Sequence, residues 1–519
     1  MKLLNYRIGF ASNSSSLHST WHVEDPAAVK EEIEDMNFGW ETFVCSTKEG
    51  IRKYLAAQLI NCLHKRIPNI YLLALVKYLY PEIPEEEYYY RGRWNKCADF
   101  QASVDHQSGF TLPHDYTYTN VFLPSIDFLK DLEKYLIDTK CVIVGGNDNE
   151  DMVDIDTIIP KEQTKTRNYL LRNFIEISST KNLVCVKDDK VWKLFNSKNG
   201  MKIRFSFEDN IKYDKSSTPE LVDLIITNNC NMGCPFCYRG CTPEGKHASM
   251  ENIATLLFVL SGNGVKCFEV AIGGGDILNY PKLEKLCKLI KENDSYYTYG
   301  RMVYNTTLNC KDFTEENLEK IKLVCDSFRG LAISIRTVED MISVLEYIKQ
   351  HNLAENEYSF QCIPELMSYD DLIGIIDYRG TTQQVEYTLT FLGFKPTGRG
   401  CSIPAAEIEK NREQFNKVID YLHEKIGHWY TYGIDTQLLA NFPKLKETLA
   451  DWEYTENEGK FSCCIDAVDG YILPSSYSEY KEEYKIPKKK ELGDSKSEIT
   501  EVFDRHKIDD FIINTYQKF

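Results

Sequence analysis

The stretch Asn228–Cys241, NNCNMGCPFCYRGC, packs four cysteines into fourteen residues. Three of them follow a Cys230-x3-Cys234-x2-Cys237 spacing. A structural zinc needs four ligands, usually two separated Cys-x2-Cys pairs, and no second pair closes this set. Iron–sulfur clusters are normally held by four cysteines. A [4Fe–4S] cluster held by only three leaves one iron with an open site, which is what a catalytic cofactor needs. A zinc knuckle or a redox pair is the alternative for the same residues.

The flanking sequence says what holds these thiols in place. LVDLIIT (Leu221–Thr227) is an apolar run of the kind found in buried parallel strands. The cysteine loop follows at once. Ser249 then caps a helix in which Met250, Ile253, Leu257 and Leu260 share a face. Cys267–Ile272 is the next strand, and Pro281 starts the next helix. Strands over Arg301–Thr306, Leu331–Ile335, Tyr358–Ile363 and Val385–Phe394 alternate with helical stretches such as Val338–Gln350 and Tyr369–Tyr378. Six strand–helix units in about 180 residues predict an α/β fold, a partial parallel (β/α)6 barrel with right-handed crossovers. Ligands collect at the carboxyl ends of such strands, and the cysteines sit at the end of the first.

With that context the sequence resembles the radical S-adenosylmethionine (radical SAM) superfamily, from Leu221 to Gly400. Tyr238, directly after the third cysteine, matches the family's aromatic position, where the backbone meets adenine. Gly273, Gly274, Gly275 and Asp276 are similar to the family's glycine-rich turn for the methionine amino group, with Asp276 where glutamate is common. Asn305 and Thr306 are similar to its polar strand-three terminus. Ser334 and Arg336 sit where the family often contacts the ribose and carboxylate of SAM. LGFKPTGRG (Leu392–Gly400) resembles the strand-six ending of many peptide-modifying members. The chemistry agrees: glycines admit a close ligand, and carboxylate–ammonium or guanidinium–carboxylate contacts are charge-assisted.

The resemblance implies one [4Fe–4S] cluster on Cys230, Cys234 and Cys237, with SAM as the second cofactor. It implies reductive cleavage of SAM to a 5'-deoxyadenosyl radical and hydrogen abstraction from a peptide or protein. A reductant such as flavodoxin or ferredoxin is the implied partner. Chemistry on a small molecule or nucleotide is the alternative within the class. A non-catalytic iron–sulfur sensor or scaffold is the alternative outside it.

A chain of 519 residues is too long for one core, so two or three domains are expected. The polar stretch Asp209–Glu220 reads as a linker. It separates an N-terminal accessory or substrate domain of mixed α+β character (1–215) from the barrel (216–400), and a C-terminal extension (401–519) follows. Apolar residues at helical spacing over Ile51–Ile67 predict a helix in the first part, and Cys141–Val144 and Leu183–Val186 read as strands. A net charge of −17 argues against duplex nucleic acid as partner. No run reaches the roughly 18–20 apolar residues of a membrane span, and Arg7 interrupts any signal-peptide core, so a cytoplasmic protein is expected; that it is an oxygen-sensitive enzyme is what the resemblance implies.

The 17 cysteines are odd in number and mostly scattered, unlike a disulfide framework. Cys62, Cys97, Cys141, Cys185, Cys267, Cys287, Cys310, Cys325 and Cys362 read as small buried hydrophobes, and Cys241 as a loop cysteine. Cys401, Cys463 and Cys464 are too few for a full second cluster, and neighbours on a strand face apart. The stretch around them predicts a hairpin with Asp469-Gly470 in its turn. Lys488–Lys490 reads as a solvated loop, Ala11–Ser19 as a flexible arm, and Gly145–Asp154 as an acidic turn without the full calcium-loop pattern.

Overall fold

The computed structural model describes residues 2–6, 19–33, 37–38, 43–61, 70–82, 85–90, 93–98, 103–104, 126–145, 158, 165–168, 183–197, 200, 202–208 and 211–519, the last range without 262–264, 266, 297–301, 355, 379–384, 386, 426–431, 449–457 and 493–498. Two compact units result, Met1–Lys212 and Tyr213–Phe519. Residues 11–18 of the expected arm, 146–154 of the expected acidic turn, Cys62 and the Cys97 side chain lie outside the described residues.

The first unit is mixed α+β. Lys2–Tyr6, Lys202–Ser206, Val191–Asn196 and Leu183–Asp188 form one four-stranded sheet. Phe43–Cys45, Cys141–Gly145, Ser19–Val23 and Lys165–Asn168 form another. The helix read over Ile51–Ile67 runs from Lys48 to Asn61, and its remainder is not described. Its Tyr54 joins Phe38 and Phe43 in a buried aromatic cluster, with ring centroids 5.0–5.7 Å apart.

The second unit is built on one nine-stranded sheet. Its strands are β1 (Leu221–Thr227), β2 (Glu269–Gly274), β3 (Val303–Asn309), β4 (Gly330–Ser334), β5 (Glu357–Cys362), β6 (Tyr387–Phe391), β7 (Tyr432–Ile434), β8 (Ser462–Asp466) and β9 (Tyr471–Leu473). Their order is β7-β6-β5-β4-β3-β2-β1-β8-β9, parallel throughout except for the β8–β9 hairpin. The sheet does not close, so the barrel is partial. Crossover helices α1 (Met250–Ser261), α2 (Leu283–Tyr296), α3 (Leu318–Cys325), α4 (Val338–Gln350), α5 (Tyr369–Asp377) and α6 (Ala405–Lys425) connect the parallel strands. Thr337 caps α4 in a capping box with Asp340, which fixes where that helix begins.

Burial along the strands alternates. Leu331 and Ile333 of β4, and Tyr358, Phe360 and Cys362 of β5, are buried in the same core as the helices. The residues between them, Ala332, Ser334, Ser359 and Gln361, face the interior of the partial barrel and are half-exposed. β1 is therefore packed by helices on one face only, and its Asp223 lies on the open inner face. The period-2 alternation thus marks a lumen lined by small polar groups, unlike the layered apolar filling of a closed barrel.

Three expectations are refined. First, the stretch read as a linker contains the boundary between the two units, and its second half is tied down: the Ser216 and Glu220 N–H groups donate to the Lys460 and Phe461 carbonyls, both at 2.9 Å. Second, residues after 400 do not stand apart, because β7, β8 and β9 extend the barrel sheet at both ends. β8 runs alongside β1 in register from Leu221↔Ser462 to Ile225↔Asp466, covering what would otherwise be an apolar edge strand. Third, Lys488–Lys490 lies in a strand, Lys488–Leu492, paired antiparallel with Ile499–Phe503.

Cys463 and Cys464 do face apart: Cys463 packs in the helix-side core, Cys464 with Ile225 and Leu473 on the other face. The hairpin turn spans 467–470, and Gly470 takes a φ of 83°. Asp466 at the end of β8 is fully buried and binds the equally enclosed Arg239 at 2.7 Å. It also accepts from the Tyr480 hydroxyl (2.7 Å) and from the Val468 and Asp469 N–H groups. This pair ties the added strand to the segment just after the cysteines. Asp466→Ala would strand a buried guanidinium and should cost about 3–5 kcal/mol. Urea unfolding of the full chain, followed by far-UV dichroism, checks this.

Candidate functional site

The cysteine loop leaves the carboxyl end of β1 and returns on itself. The Cys230 N–H donates to the Thr242 carbonyl (2.9 Å), and the Asn228 N–H to that of Lys246 (2.8 Å). Between these anchors the backbone turns through Gly233 and Gly240, with φ of 61° and 65°. The loop's own carbonyls are met by one side chain from the strand-six ending. Arg399 donates through Nε to the Cys234 carbonyl (2.9 Å) and through a terminal nitrogen to the Cys241 carbonyl (2.6 Å). Its backbone N–H donates to the Cys237 carbonyl (2.9 Å). Thr397 Oγ1 donates to the Tyr238 carbonyl (3.1 Å). Gly398 sits between them, and a Cβ there would lie 2.4 Å from the Tyr238 carbonyl oxygen.

The three thiols of the motif are half-buried and none is in a disulfide. Burial pushes the Cys230 and Cys234 thiols up, and each feels its neighbours' charge. Lys311 and Arg399 pull Cys234 back toward the thiolate. A hydrogen bond from Cys241 holds Cys237 below its ordinary value. Cys241 is itself buried against the Gly274 carbonyl (3.8 Å), so it supports the loop from behind. Among the described residues no three His, Cys, Asp or Glu side chains converge on a single-ion site. A four-iron cluster takes its thiolates at separate corners, so ligands of that group stay apart.

The glycine turn ends β2 and locks onto the root of the cysteine loop. The Gly275 N–H donates to the Thr227 carbonyl (2.6 Å), and the Asp276 N–H to that of Asn229 (2.9 Å). A Cβ at Gly274 would lie 2.3 Å from the Thr227 oxygen, and one at Gly275 2.2 Å from the Asn229 oxygen. Those two glycines are required by the close approach of the backbones. Gly273 differs: a Cβ there would meet nothing within 4 Å, because it opens on the lumen. The Asp276 carboxylate accepts from the Leu278 N–H (2.9 Å), its pKa is raised by burial, and its charge reaches Cys230.

A cavity of about 240 Å³ lies beside the loop, lined by Cys234, Phe236, Lys311, Ser334, Arg336 and Gln361 among others. The Arg336 guanidinium sits over the Phe236 ring at 5.4 Å. Ser334 and Arg336 thus line one cavity together with Cys234. Asn305 does not. β3 runs on to Asn309, so Asn305 lies low in the lumen, where its Oδ1 accepts from the Gly330 N–H (3.0 Å). Tyr238 does not line this cavity either. Its ring lies under Lys395 (5.2 Å) and borders a second cavity behind the loop. Phe236, one residue before the third cysteine, is the aromatic that faces the first cavity.

Sequence reasoning passed over three residues here. Phe236 was legible as the second aromatic of the loop. Arg399 stood in a quoted motif without a role. Lys311 carries no sequence signal; it is set at the rim because Asn309 and Asp312 form a capping box just after β3. Asp312 is nearly fully buried, and that burial, with Asp276 adding to it, pushes its carboxyl up to about 7.

Arg399→Lys keeps the charge but loses the planar fork that reaches two carbonyls. Losing one such charged contact costs roughly 1.5–3 kcal/mol. The variant should fold with an unchanged far-UV spectrum but retain markedly less iron and sulfide after anaerobic reconstitution and desalting. Iron loading equal to the parent's would show that the loop holds its shape without the clamp.

Comparison with known proteins bears on the same region. Residues 224–369 match the family model described as the radical SAM superfamily. No curated protein matches the chain. Among solved structures, Streptococcus suis SuiB bound to S-adenosylmethionine is 13% identical with a TM-score of 0.42, over 65% of this chain and 87% of that one. The anSMEcpe structure with bound AdoMet is 15% identical with a TM-score of 0.36, over 52% of this chain and 74% of that one. The [FeFe]-hydrogenase maturase HydG is 14% identical with a TM-score of 0.35, over 48% and 57%. Likeness at these TM-scores carries no inference of its own. The family match falls on the strands that hold the cysteine loop, the glycine turn and the cavity, and residues 224–369 carry a domain of the radical SAM superfamily.

Proposed function

We propose that the chain binds one [4Fe–4S] cluster through Cys230, Cys234 and Cys237, and SAM beside it, and acts on a peptide or protein. The observation that carries this reading is the pairing of three free, half-buried thiols with an open, polar lumen directly below them. The residues fit such a cluster. The carbonyls that could compete for polar contacts are taken up by Arg399 and Thr397, while the thiols have no disulfide partner. When bound, the cluster and SAM supply a 5'-deoxyadenosyl radical that removes hydrogen from an unreactive carbon.

The chain's own residues do the rest. Gly273 leaves room at the end of β2, and Asp276 places a carboxylate near Cys230, suited to the SAM ammonium. Arg336, Ser334 and Lys311 offer donors across the cavity to a carboxylate or ribose hydroxyl. Phe236, braced by Arg336, presents a flat face to a base. Below them, hydroxyl and amide groups line the inner face. Asn309, Ser334, Gln361 and Thr390 form one level by strand register, and Thr307, Ala332, Ser359 and Thr388 the level beneath. Peptide groups present alternating donors and acceptors, and this lining matches them. The strand-six sequence Phe394–Gly400 leans the same way.

Anaerobic, reduced protein should convert SAM to 5'-deoxyadenosine. Replacing Cys230, Cys234 and Cys237 together with alanine should abolish both colour and conversion; conversion by that triple variant would refute the assignment. Iron and sulfide should reach about four of each per chain, the content of one cluster. A value near eight that falls on replacing Cys401, Cys463 and Cys464 would mean a second. Gly273→Val should leave iron content intact while lowering SAM affinity roughly 10- to 100-fold, the range of one to two lost polar contacts, as read by equilibrium dialysis.

A further inference from the structure

Asp223 stands out on the inner face of the second unit. It interrupts an otherwise apolar strand, one inner-face step below Ile225, whose partner on β2 is Gly273. In register beside it lie Ala271 and Cys464. Asn305, next along the same level, already accepts from the Gly330 N–H. None of these can neutralise a carboxylate.

Among the described residues, Lys395, Glu458, Tyr238, Cys463 and Cys464 feel Asp223 directly, and Asp435 and Tyr477 complete the group around Lys395. Lys395 pairs with Asp435 at 3.6 Å and stacks over the Tyr238 and Tyr477 rings at 5.2 and 4.9 Å. Asp435 also accepts from the Gly393 and Leu438 N–H groups, both at 2.8 Å. Glu458 accepts from the Thr436 and Tyr477 hydroxyls. Three carboxylates therefore face one ammonium, and two of the three are satisfied. Asp223 has no hydrogen-bond or ion-pair partner among the described residues, and it is mostly buried, with only part of its surface open to the lumen. Its enclosure pushes the carboxyl up to about 6, Lys395 opposes that and Glu458 adds to it. An enclosed, unmatched carboxylate is costly unless something pairs with it.

We propose that Asp223 anchors a cationic group of the substrate, an ammonium or guanidinium, at the floor of the lumen. This rests on the reading of the lumen as the substrate chamber, and it narrows the substrate to one carrying a positive charge. The cation enters from above, past the SAM site. Its charge meets Asp223, and the carbon next to the cofactors lies some bonds away along the same chain.

The test uses the reconstituted full chain with SAM and four blocked pentapeptides, Gly-Gly-Xaa-Gly-Gly, with lysine, arginine, norleucine or glutamate at the centre. Calorimetry should show the lysine and arginine peptides binding roughly tenfold or more tightly than the norleucine peptide, the worth of one charge-assisted contact. Asp223→Asn should erase that preference and Asp223→Glu should retain part of it, with iron content as the check on folding. In the unsubstituted protein, n-butylammonium but not n-butanol should weaken binding of the lysine peptide, an arm that needs no variant. Equal binding of all four peptides, including no binding by any, overturns the proposal, as does a preference that survives Asp223→Asn. Formation of 5'-deoxyadenosine by the unsubstituted protein reports separately on the cofactor assignment, so the two failures are distinguishable.

Discussion

Under the proposed cluster assignment, the loop offers three thiols to a bulky inorganic group and cannot use those thiols to hold itself up. Its shape has to come from the backbone. In this protein the constraint is met by Arg399, whose guanidinium and N–H reach three cysteine carbonyls, 234, 237 and 241. The glycine turn grips the loop's root from the other side, through the Gly275 and Asp276 N–H groups. The thiols are left free because everything around them is tied. Much else follows from this arrangement. β6 must deliver Arg399 to the mouth of the barrel, so the sheet has to curve until its sixth strand faces its first. Gly398 is needed because any side chain would collide with the Tyr238 carbonyl.

The sheet itself separates two jobs by residue parity. One set of side chains packs against the helices and supplies the hydrophobic stabilisation. From β3 to β6 the other set is mostly small and polar and surrounds space, while at β1, β8 and β9 it closes into an apolar cluster of Ile225, Cys464 and Leu473. Because strand side chains alternate, the lumen can change without disturbing the core. The polar group of Lys395, Asp435, Glu458 and Tyr477 joins residues that follow β6 and β7 with residues flanking β8 and β9. It reaches across the gap that the unclosed sheet leaves, where backbone hydrogen bonds cannot.

The parts of this arrangement that sequence could reveal are those with a period or a spacing. Hydrophobic alternation located all six core strands to within a few residues, and α4 to the residue. The cysteine spacing and the glycine run stood out because few other uses need them. What sequence did not reveal shares a cause: a contact set by three dimensions. Asn305 looked like a strand end because the run NTTLN is polar, yet β3 continues through it. Tyr238 and Phe236 differ by two positions and turn to opposite sides of a tight loop, which no pattern records. The placement of β8 beside β1 joins residues some 240 positions apart and leaves no local trace. Asp223 was visible from the start, but its isolation only shows once its neighbours' partners are known.

The position of β8 also orders events in time. Strand β1 gains its second neighbour only from residues 462–466, and the segment before it is held by Lys460, Phe461 and Gln517. A ribosome releases these long after the cysteine loop has emerged. Arg399 too arrives more than 160 residues after Cys234. Contacts of such sequence separation form late, because the intervening chain must first be made and its loop entropy overcome. The cysteines therefore spend most of synthesis on a half-supported strand without their clamp. Loading of the proposed cluster would then be a step for the finished polypeptide, and the nascent chain depends on a reducing environment to keep four neighbouring thiols from pairing with one another first.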